Sequence, residues 1–236
     1  MQTRSMISSL GTVVFARTPQ NVGKSRLAKT WNRAATDTFY LHCLDCAAQW
    51  LQEATNHSAG YWALTGEGSR QDIFWKSGNI LEQGAGGLGE RMASVSAQLL
   101  RRHDFWCLVG SDIPQMPALT ELALCERLQH STFVFGPSLD GGFWLVAGRR
   151  ALPLDIWTTV PYSCSNTLEK MISALITRNT KWQIDTSLPL LNDIDHYADL
   201  LYLFKTLQEM RPSLSRPQSR LLEWLGNQHI FTGEEK

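Results

Sequence analysis

Two short acidic motifs follow apolar runs in the middle of the sequence. Asp112 lies in GSDIP, just after the run Phe105–Val109, and Asp140 lies in SLDGG, after the run Thr132–Phe135. Runs of this length bounded by Gly, Pro or Asp are typical of buried strands. Because ligands of open parallel sheets bind beyond the carboxyl ends of the strands, both carboxylates are predicted to face a polar ligand or a metal ion.

A third acidic motif, NDID, offers two further carboxylates, Asp193 and Asp195. Mg²⁺ binds proteins through one or two carboxylates together with the phosphates of a substrate. Asp112 with Asp195 or Asp193 would supply such ligands from two strand ends. The alternative is that each acid only caps a helix or a turn, which is a common role of Asp.

A basic loop follows the first apolar run, Gly11–Ala16. Its sequence, RTPQNVGKSRLA, contains Arg17, Lys24 and Arg26. A strand, then a loop with glycine and basic residues, then a helix favours phosphate binding, because backbone N–H groups and the helix N-terminus attract anions. The glycine spacing matches neither a Walker A loop nor the G-x-G-x-x-G of dinucleotide oxidoreductases. A solvated basic loop without a ligand remains the alternative.

Two further patterns carry charged or metal-binding side chains. Arg91 follows Glu90 in the first turn of a predicted helix, where the helix dipole favours an acid, so a bound anion would explain it. A surface arginine is the alternative. Cys43 and Cys46 form a C-x-x-C, but they lie on the apolar face of the helical pattern Trp31–Ala54. Core packing is therefore favoured over a zinc or redox site.

Composition limits the class of protein. The chain has 236 residues, 43% of them hydrophobic, which suits one large domain or a domain with a small appendage. Its 22 basic and 22 acidic residues give no net charge, so neither nucleic acid nor an anionic membrane is an expected partner. Five cysteines, no signal-peptide pattern and no apolar run of membrane-spanning length indicate a cytoplasmic protein with reduced thiols. The oligomeric state stays open.

Strand-like and helix-like segments alternate along the chain. Strands are predicted at Gly11–Ala16, Tyr61–Thr65, Asn79–Gln83, Phe105–Val109, Thr132–Phe135, Phe143–Ala147 and Lys181–Asp185, with Asp72–Lys76 ambiguous. Helices are predicted at Trp31–Ala54, from Glu90 onward, and at Ala118–Gln129, Asn166–Thr177, Tyr197–Met210 and Arg220–His229, while Leu152–Thr159 resembles a loop. This order predicts an α/β fold with three layers and a mostly parallel central sheet. We expect a domain over residues 1–210 and a Pro/Ser linker with a short tail or helix over residues 211–236.

Six motifs in this order resemble one known family. They are FARTPQNVGKSRLA, EQGAGGLGERM, GSDIPQMP, GPSLDGGFWLVAG, PYSCSNTLEKM and LLNDIDHYADL. Together they are similar to the glycosyltransferase-A-like family labelled "rSAM/selenodomain-associated transferase", which is akin to the 2-phospholactate guanylyltransferases. The sequence departs from the family pattern at Asn21, Gly87 and Cys164, where the family often has Gly, Asp and Thr.

The resemblance implies a Rossmann-like nucleotide-diphospho-sugar transferase fold and assigns roles to the candidate residues. Asp112 and Asp195 would hold a divalent metal, Mg²⁺ or Mn²⁺, against the nucleotide phosphates. The phosphates would be contacted by Arg17, Lys24, Arg26 and Arg91. The acceptor or sugar pocket would be lined by Gly141, Gly142 and Glu90, and Asp140 would orient or deprotonate the acceptor hydroxyl.

Three hypotheses for function follow. The first is a metal-dependent glycosyltransferase that moves a sugar from a nucleotide sugar to a small-molecule acceptor. The second is a nucleotidyltransferase, similar to the guanylyltransferases, that joins an NTP to a phosphorylated small molecule and releases pyrophosphate. The third is a catalytically silent protein that binds nucleotides or a partner, and it is favoured only by the departures at Asn21 and Gly87.

Overall fold

Alternating strands and helices build one sheet covered by helices on both faces. The computed structural model describes residues 9–19, 23–55, 59–65 and 79–228. Within them the strands are β1 (Leu10–Arg17), β2 (Ala59–Thr65), β3 (Asn79–Glu82), β4 (Phe105–Gly110), β5 (Phe133–Pro137), β6 (Phe143–Gly148) and β7 (Ile184–Asp185). The helices are α1 (Ser25–Thr30), α2 (Arg33–Ala54), α3 (Leu88–Leu100), α4 (Glu121–His130), α5 (Leu154–Thr159), α6 (Thr167–Arg178), α7 (Tyr197–Glu209) and α8 (Arg216–Gly226).

The strand order brings the loops that carry the motifs to one edge of the sheet. The order across the sheet is β3-β2-β1-β4-β6-β5-β7. Of the strands in the described ranges, only β6 runs antiparallel to its neighbours, β4 and β5, and the remaining pairs are parallel. The carboxyl ends of β1, β3, β4 and β5 therefore point the same way, and the loops after them share one rim.

Side chains of the central strands alternate between two apolar layers. Val13 and Val14 are both fully buried. Val13 packs in the layer that contains Val95 of α3, whereas Val14 packs in the layer that contains Phe39 of α2. Because successive side chains of a strand point to opposite faces, such a double-sided apolar strand must lie in the middle of a three-layer domain.

The structure confirms the predicted fold class and most of the predicted elements. One prediction is wrong, since Leu154–Thr159 is helical rather than a loop. Ile156 and Trp157 of this short helix are buried against α3, so tertiary packing stabilises a segment with weak helix propensity. The predicted strand Lys181–Asp185 is reduced to Ile184–Asp185. The ambiguous segment Asp72–Lys76 lies outside the described residues.

Residues 211–228 pack into the core. Arg211–Ser213 forms a 3₁₀ turn, Ser215 caps α8, and Leu221 and Leu225 of that helix are fully buried in the layer that contains α2. The sequence predicted a linker in this segment. The predicted boundary at residue 210, between the main domain and the C-terminal tail, stays a prediction. In α2, both Cys43 and Cys46 are buried in the same layer, as expected for core residues. Among the helices of the described ranges, none combines the length and apolarity that crossing a membrane requires.

Candidate active site

Lys24 and two of the predicted metal ligands meet at the rim of the sheet. β1 and β4 are adjacent and parallel, so the loops that carry Lys24 and Asp112 leave the sheet side by side. Nζ of Lys24 lies 3.3 Å from Oδ2 of Asp112 and 3.1 Å from Oδ1 of Asp195. It also donates a hydrogen bond of 2.7 Å to the carbonyl oxygen of Ile194. These contacts join residues that are far apart in the sequence.

The backbone at Lys24 and at the residue before it is left-handed. Gly23 and Lys24 both have left-handed φ values, 69° and 40°. Lys24 then caps the N-terminus of α1 without a side-chain hydrogen bond to the helix. A left-handed conformation is unfavourable for a lysine, so the ion pairs and the start of α1 must stabilise it.

One carboxylate, that of Asp199, shapes the loop that carries Asp193 and Asp195. Its Oδ2 accepts hydrogen bonds from the backbone N–H of Asp195 at 3.0 Å and of His196 at 2.7 Å. Its Oδ1 accepts a bond of 3.1 Å from the side-chain amide of Asn192. Since Asp199 is in the first turn of α7, this one residue caps the helix and fixes the acidic loop before it.

The third carboxylate, Asp193, completes an acidic cluster. Carboxylate oxygens of Asp112, Asp193 and Asp195 all lie within 4.8 Å of one another. Burial, followed by the negative charges of Asp112, Asp140 and Asp195, raises the pKa of Asp193 to about 7. Lys24 shows the opposite balance. Burial alone would lower the pKa of its ammonium, but Asp112 and Asp195 outweigh burial and raise that pKa above its ordinary value.

This donor set fits a hard divalent cation. All three donors are carboxylate oxygens, which Mg²⁺ and Mn²⁺ favour, and they are close enough to share one ion after small rotations. Burial and then the neighbouring carboxylates raise the pKa of Asp193, and a bound positive charge would offset both effects. The ammonium of Lys24 already supplies part of that charge to Asp112 and Asp195.

The basic loop contributes two arginines beside the acidic cluster. Both Arg17 and Arg26 line the same cavity as Asp112. Arg26 is 64% exposed at its side chain, and its Nη1 lies 3.8 Å from Oδ2 of Asp195. The backbone of Arg17 is fixed by the buried hydroxyl of Tyr40, which accepts a bond from its N–H at 2.9 Å and donates one to its carbonyl at 3.0 Å. Both guanidinium groups can therefore meet an anion in the cavity.

The glycine-rich loop after β3 forms another wall. The buried side chain of Gln83 donates to the carbonyl of Ala63 at 2.8 Å and accepts a bond of 3.3 Å from Nη1 of Arg91. Arg91 thus lines the cavity in a fixed direction. Glu90 does not line the cavity, because its carboxylate accepts a hydrogen bond of 2.6 Å from the N–H of Gly87 and caps α3. The structure therefore places Glu90 at the N-terminal cap of α3 and not in the pocket, where it was predicted.

The DGG turn forms a further wall of the cavity. Oδ1 of Asp140 accepts a hydrogen bond of 2.9 Å from the N–H of Gly142, and Oδ2 accepts none from the described residues. Asp140 and Gly142 line the cavity. Gly141 lies behind them, where a Cβ would come within 1.9 Å of the carbonyl oxygen of Ser165 and where φ is 84°. Gly141 therefore shapes the turn without contacting the space inside.

These elements enclose one large cavity. It has a volume of about 700 Å³, of the size that holds a nucleotide-sized ligand. The cavity is also lined by residues that were not predicted from the sequence, namely Tyr40, Gln83, Tyr162, Ser163 and Cys164. Asp193, considered only as an alternative to Asp195, lines it as well. Asn21, one of the departures from the family pattern, lies outside the described residues.

One family pattern matches the middle part of the sequence. The pattern described as "Uncharacterized protein conserved in bacteria (DUF2064)" matches residues 49–164, slightly less than half of the chain. The matched range includes Asp112 and Asp140 but not Lys24 or Asp195. No curated protein sequence matches the chain significantly.

Structural comparison defines the fold more broadly. A candidate nucleotide-diphospho-sugar transferase from Desulfovibrio desulfuricans G20 superimposes with a TM-score of 0.77 at 22% identity, covering 92% of this chain and 98% of that one. The 4-diphosphocytidyl-2C-methyl-D-erythritol synthase of Anaerococcus prevotii DSM 20548 gives 0.53 at 10% identity, covering 86% and 99%. A CMP:2-keto-3-deoxy-manno-octonic acid synthetase complexed with CTP gives 0.50 at 14% identity, covering 88% and 100%. The chain thus has the nucleotide-diphospho-sugar transferase fold.

Proposed function

We propose that this protein is a metal-dependent transferase that takes a sugar from a nucleotide sugar and passes it to a small-molecule acceptor. The observation that carries this proposal is the meeting of three carboxylates, Asp112, Asp193 and Asp195, with basic side chains at the carboxyl-end rim of the sheet. The similarity to a candidate nucleotide-diphospho-sugar transferase over nearly the whole chain supports the same class. Membership of the family labelled "rSAM/selenodomain-associated transferase", which the motifs resemble, stays a prediction.

In this proposal the acidic cluster and the arginines divide the work of holding a diphosphate. Asp112 and Asp195, assisted by Asp193, would hold the divalent cation, which when bound would neutralise charge on the departing phosphate. Arg17 and Arg26 line the cavity beside this cluster and would contact the remaining phosphate oxygens. Arg91, held by Gln83 on another wall, would contact the same nucleotide.

Asp140 is the residue proposed to act on the acceptor. Its Oδ2 accepts no hydrogen bond from the described residues, whereas Oδ1 is fixed by Gly142. The acceptor hydroxyl would donate its hydrogen bond to Oδ2 while its oxygen forms a bond to the anomeric carbon. The bond between that carbon and the phosphate oxygen breaks, and the nucleoside diphosphate leaves with the electron pair. The hydroxyl proton passes to Asp140 or to water.

Titration calorimetry with UDP, GDP, CDP and their sugar conjugates tests the proposal. Each titration is run with Mg²⁺ or Mn²⁺ and repeated with EDTA. We expect one conjugate to bind only with metal, and we expect Asp112→Asn to weaken that binding at least about tenfold, because a charge-assisted ligand is lost. Asp155→Asn is the matched control, since this carboxylate is 59% exposed and pairs with Arg178 away from the cavity. Failure of every diphosphonucleotide to bind would refute the proposal.

Nucleotidyl transfer is the second candidate. It is favoured by the similarity to a synthetase bound to CTP and to a diphosphocytidyl synthase. An NTP would then bind in the same cavity, and a phosphate of the small molecule would displace pyrophosphate. Product analysis separates the two reactions, because glycosyl transfer releases a nucleoside diphosphate and nucleotidyl transfer releases pyrophosphate.

A further inference from the structure

The ammonium of Lys24 contacts one oxygen of each of two candidate metal ligands, Oδ2 of Asp112 and Oδ1 of Asp195. We propose that Lys24 is an internal counter-cation that competes with the divalent metal for Asp112 and Asp195, so that metal binds tightly only when a phosphate group draws Lys24 away. This inference rests on the proposed function for its metal and its phosphate. It changes the predicted role of Lys24 from a simple phosphate contact to a cation that exchanges between two sets of partners.

All three N–H donors of the Lys24 ammonium already have oxygen partners. An ammonium has three N–H donors and no acceptor. Nζ of Lys24 has three oxygen partners, at 3.3 Å in Asp112, 3.1 Å in Asp195 and 2.7 Å in Ile194. The side chain is only 6% exposed. In this state Lys24 has no remaining donor for a phosphate, so a phosphate contact requires that at least one of these bonds breaks.

A metal ion and the ammonium would share the same two carboxylates, Asp112 and Asp195. A cation at about 2.1 Å from Oδ1 of Asp195, the usual Mg²⁺–oxygen distance, would lie within about 5 Å of Nζ, because Nζ is 3.1 Å from that atom. Two positive charges at this distance repel each other strongly inside a protein, where solvent screens them little. Lys24 binds Oδ2 of Asp112 in the same way, so a metal that uses these two oxygens must displace the ammonium.

One lysine does not balance the charge of the acidic cluster. The cluster holds three carboxylates, and Lys24 contacts two of them and leaves Asp193 without an ionic partner among the described residues. The ammonium therefore compensates the cluster only in part, and a divalent ion compensates it better. Arg17 and Arg26 line the same cavity, so phosphates attracted there come within reach of the lysine. Metal and phosphate together can replace every partner that the exchange breaks.

Binding of Mn²⁺ without any nucleotide tests the exchange directly. The concentration of unbound Mn²⁺ is measured by electron paramagnetic resonance with the wild type and with Lys24→Met, which keeps the length of the side chain and removes its charge. We expect Lys24→Met to bind Mn²⁺ about tenfold more tightly, a size typical of coupling between two ligands. Equal or weaker binding by Lys24→Met would overturn the proposal.

A matched control separates exchange from general electrostatics. Arg26→Met also removes one positive charge near Asp195, but this side chain is largely exposed and 3.8 Å away. We expect Arg26→Met to change the Mn²⁺ affinity less than about threefold, because solvent screens such a charge. A gain equal to that of Lys24→Met would show that any nearby charge suffices and would also overturn the proposal.

A second measurement covers the possibility that Lys24→Met folds poorly. Lys24→Arg keeps a cation in the loop, and pyrophosphate serves as a phosphate probe for it and for the wild type. In both, protein and pyrophosphate together should lower the concentration of unbound Mn²⁺ by more than the protein alone and pyrophosphate alone account for, and the absence of any such coupling in the wild type would contradict the exchange. The outcome also separates this inference from the proposed function. If the wild type and Lys24→Met bind Mn²⁺ equally, only the exchange fails, whereas if neither binds it, the metal site fails too.

Discussion

The side-chain amide of Gln218 donates a hydrogen bond of 2.9 Å to the carbonyl oxygen of Pro114. The same Nε2 lies 3.2 Å from the carbonyl oxygen of Met116. Gln218 is a buried residue of α8, and the two carbonyls belong to the loop after β4, which carries Asp112. The C-terminal helix thus fixes the backbone of a loop that carries a candidate metal ligand, more than one hundred residues earlier in the sequence.

Replacing Gln218 by leucine tests this support. The substitution keeps the approximate volume but leaves the buried carbonyls of Pro114 and Met116 without the amide, and an unsatisfied buried polar group costs about 1–3 kcal/mol. We expect urea denaturation to show a loss of that size in the free energy of unfolding. We also expect a Mn²⁺ affinity about tenfold lower, as for other residues that position metal ligands.

Gln228→Leu is the control for this variant. Among the described residues, the side-chain amide of Gln228 donates a hydrogen bond to the carbonyl oxygen of Trp224 alone, at 3.1 Å and within the C-terminal segment itself. Its loss should change the free energy of unfolding by no more than about 0.5 kcal/mol. If Gln218→Leu unfolds at the same urea concentration as the wild type, the two bonds do not stabilise the loop.

Gly89→Ala should destabilise the protein much more than Gly87→Ala. A Cβ at Gly89 would come within 1.9 Å of the carbonyl oxygen of Trp157, where α5 packs on α3. A Cβ at Gly87 meets nothing closer than the carboxylate of Glu90 at 3.7 Å. Since backbone atoms cannot move aside cheaply, we expect a loss of about 1–3 kcal/mol or more for Gly89→Ala. Thermal melting of both variants compares them, and equal melting temperatures would contradict the tight contact.

The ion pair between Arg127 and Asp185 predicts part of the acid sensitivity. Nη1 of Arg127 lies 2.7 Å from Oδ2 of Asp185. Burial would raise the pKa of Asp185, but hydrogen bonds from Ser187 and the nearby Arg127 outweigh it and lower that pKa. A carboxyl whose pKa is lower in the folded state stabilises the protein above its unfolded pKa of about 3.9 and loses this contribution as the pH falls through the folded value.

Asp185→Asn removes the titrating group and so tests this expectation. We expect the variant to be less stable than the wild type at neutral pH and to lose less stability below about pH 4. Urea denaturation at several pH values measures both effects. Asp155→Asn is the control, because its ion pair with Arg178 is more than half exposed and solvent screens it. If Asp185→Asn loses as much stability as the wild type below about pH 4, the prediction is wrong.

Thiol labelling should detect one reactive cysteine in the native protein. Cys164 is exposed, while Cys43, Cys46, Cys107 and Cys125 are buried. Burial raises the pKa of the Cys46 thiol to about 12, so it forms little reactive thiolate at neutral pH. We therefore expect one thiol per chain to react quickly with Ellman's reagent and the others to react only after unfolding.

The position of Cys164 adds a test of the cavity. This residue lines the same space as Asp112 and Arg17. A nucleotide that fills the cavity should slow the labelling of Cys164, and Cys164→Ser should abolish the fast phase. Fast labelling of a second thiol in the native protein would contradict the described burial.

Most of the fold could be predicted because it depends on local patterns. The apolar runs that became β1, β4 and β6 are buried on both faces, and such runs are readable from the sequence. The short helix Leu154–Thr159 could not be predicted in this way. Its helical form depends on the packing of Ile156 and Trp157 against a different helix, and no local pattern reports such packing.

The candidate site was predictable in position but only partly in detail. Motifs after β1, β4 and β5 had to share one rim once the sheet was mostly parallel, and Asp112, Asp140 and Lys24 all line the cavity there. The sequence could not show that Glu90 turns back to cap α3 instead of facing the cavity. The direction of a side chain depends on the hydrogen bonds available around it, and these come from the folded backbone.

By itself, the sequence determined the order of strands and helices, and therefore the edge of the sheet at which charged residues collect. Only the tertiary structure decided which of those charges pair. Lys24 meets Asp112 across 88 residues and Asp195 across 171, and Gln218 reaches Pro114 across 104. Strand periodicity and turn residues act over a few positions, whereas these contacts exist only after distant loops are packed against each other.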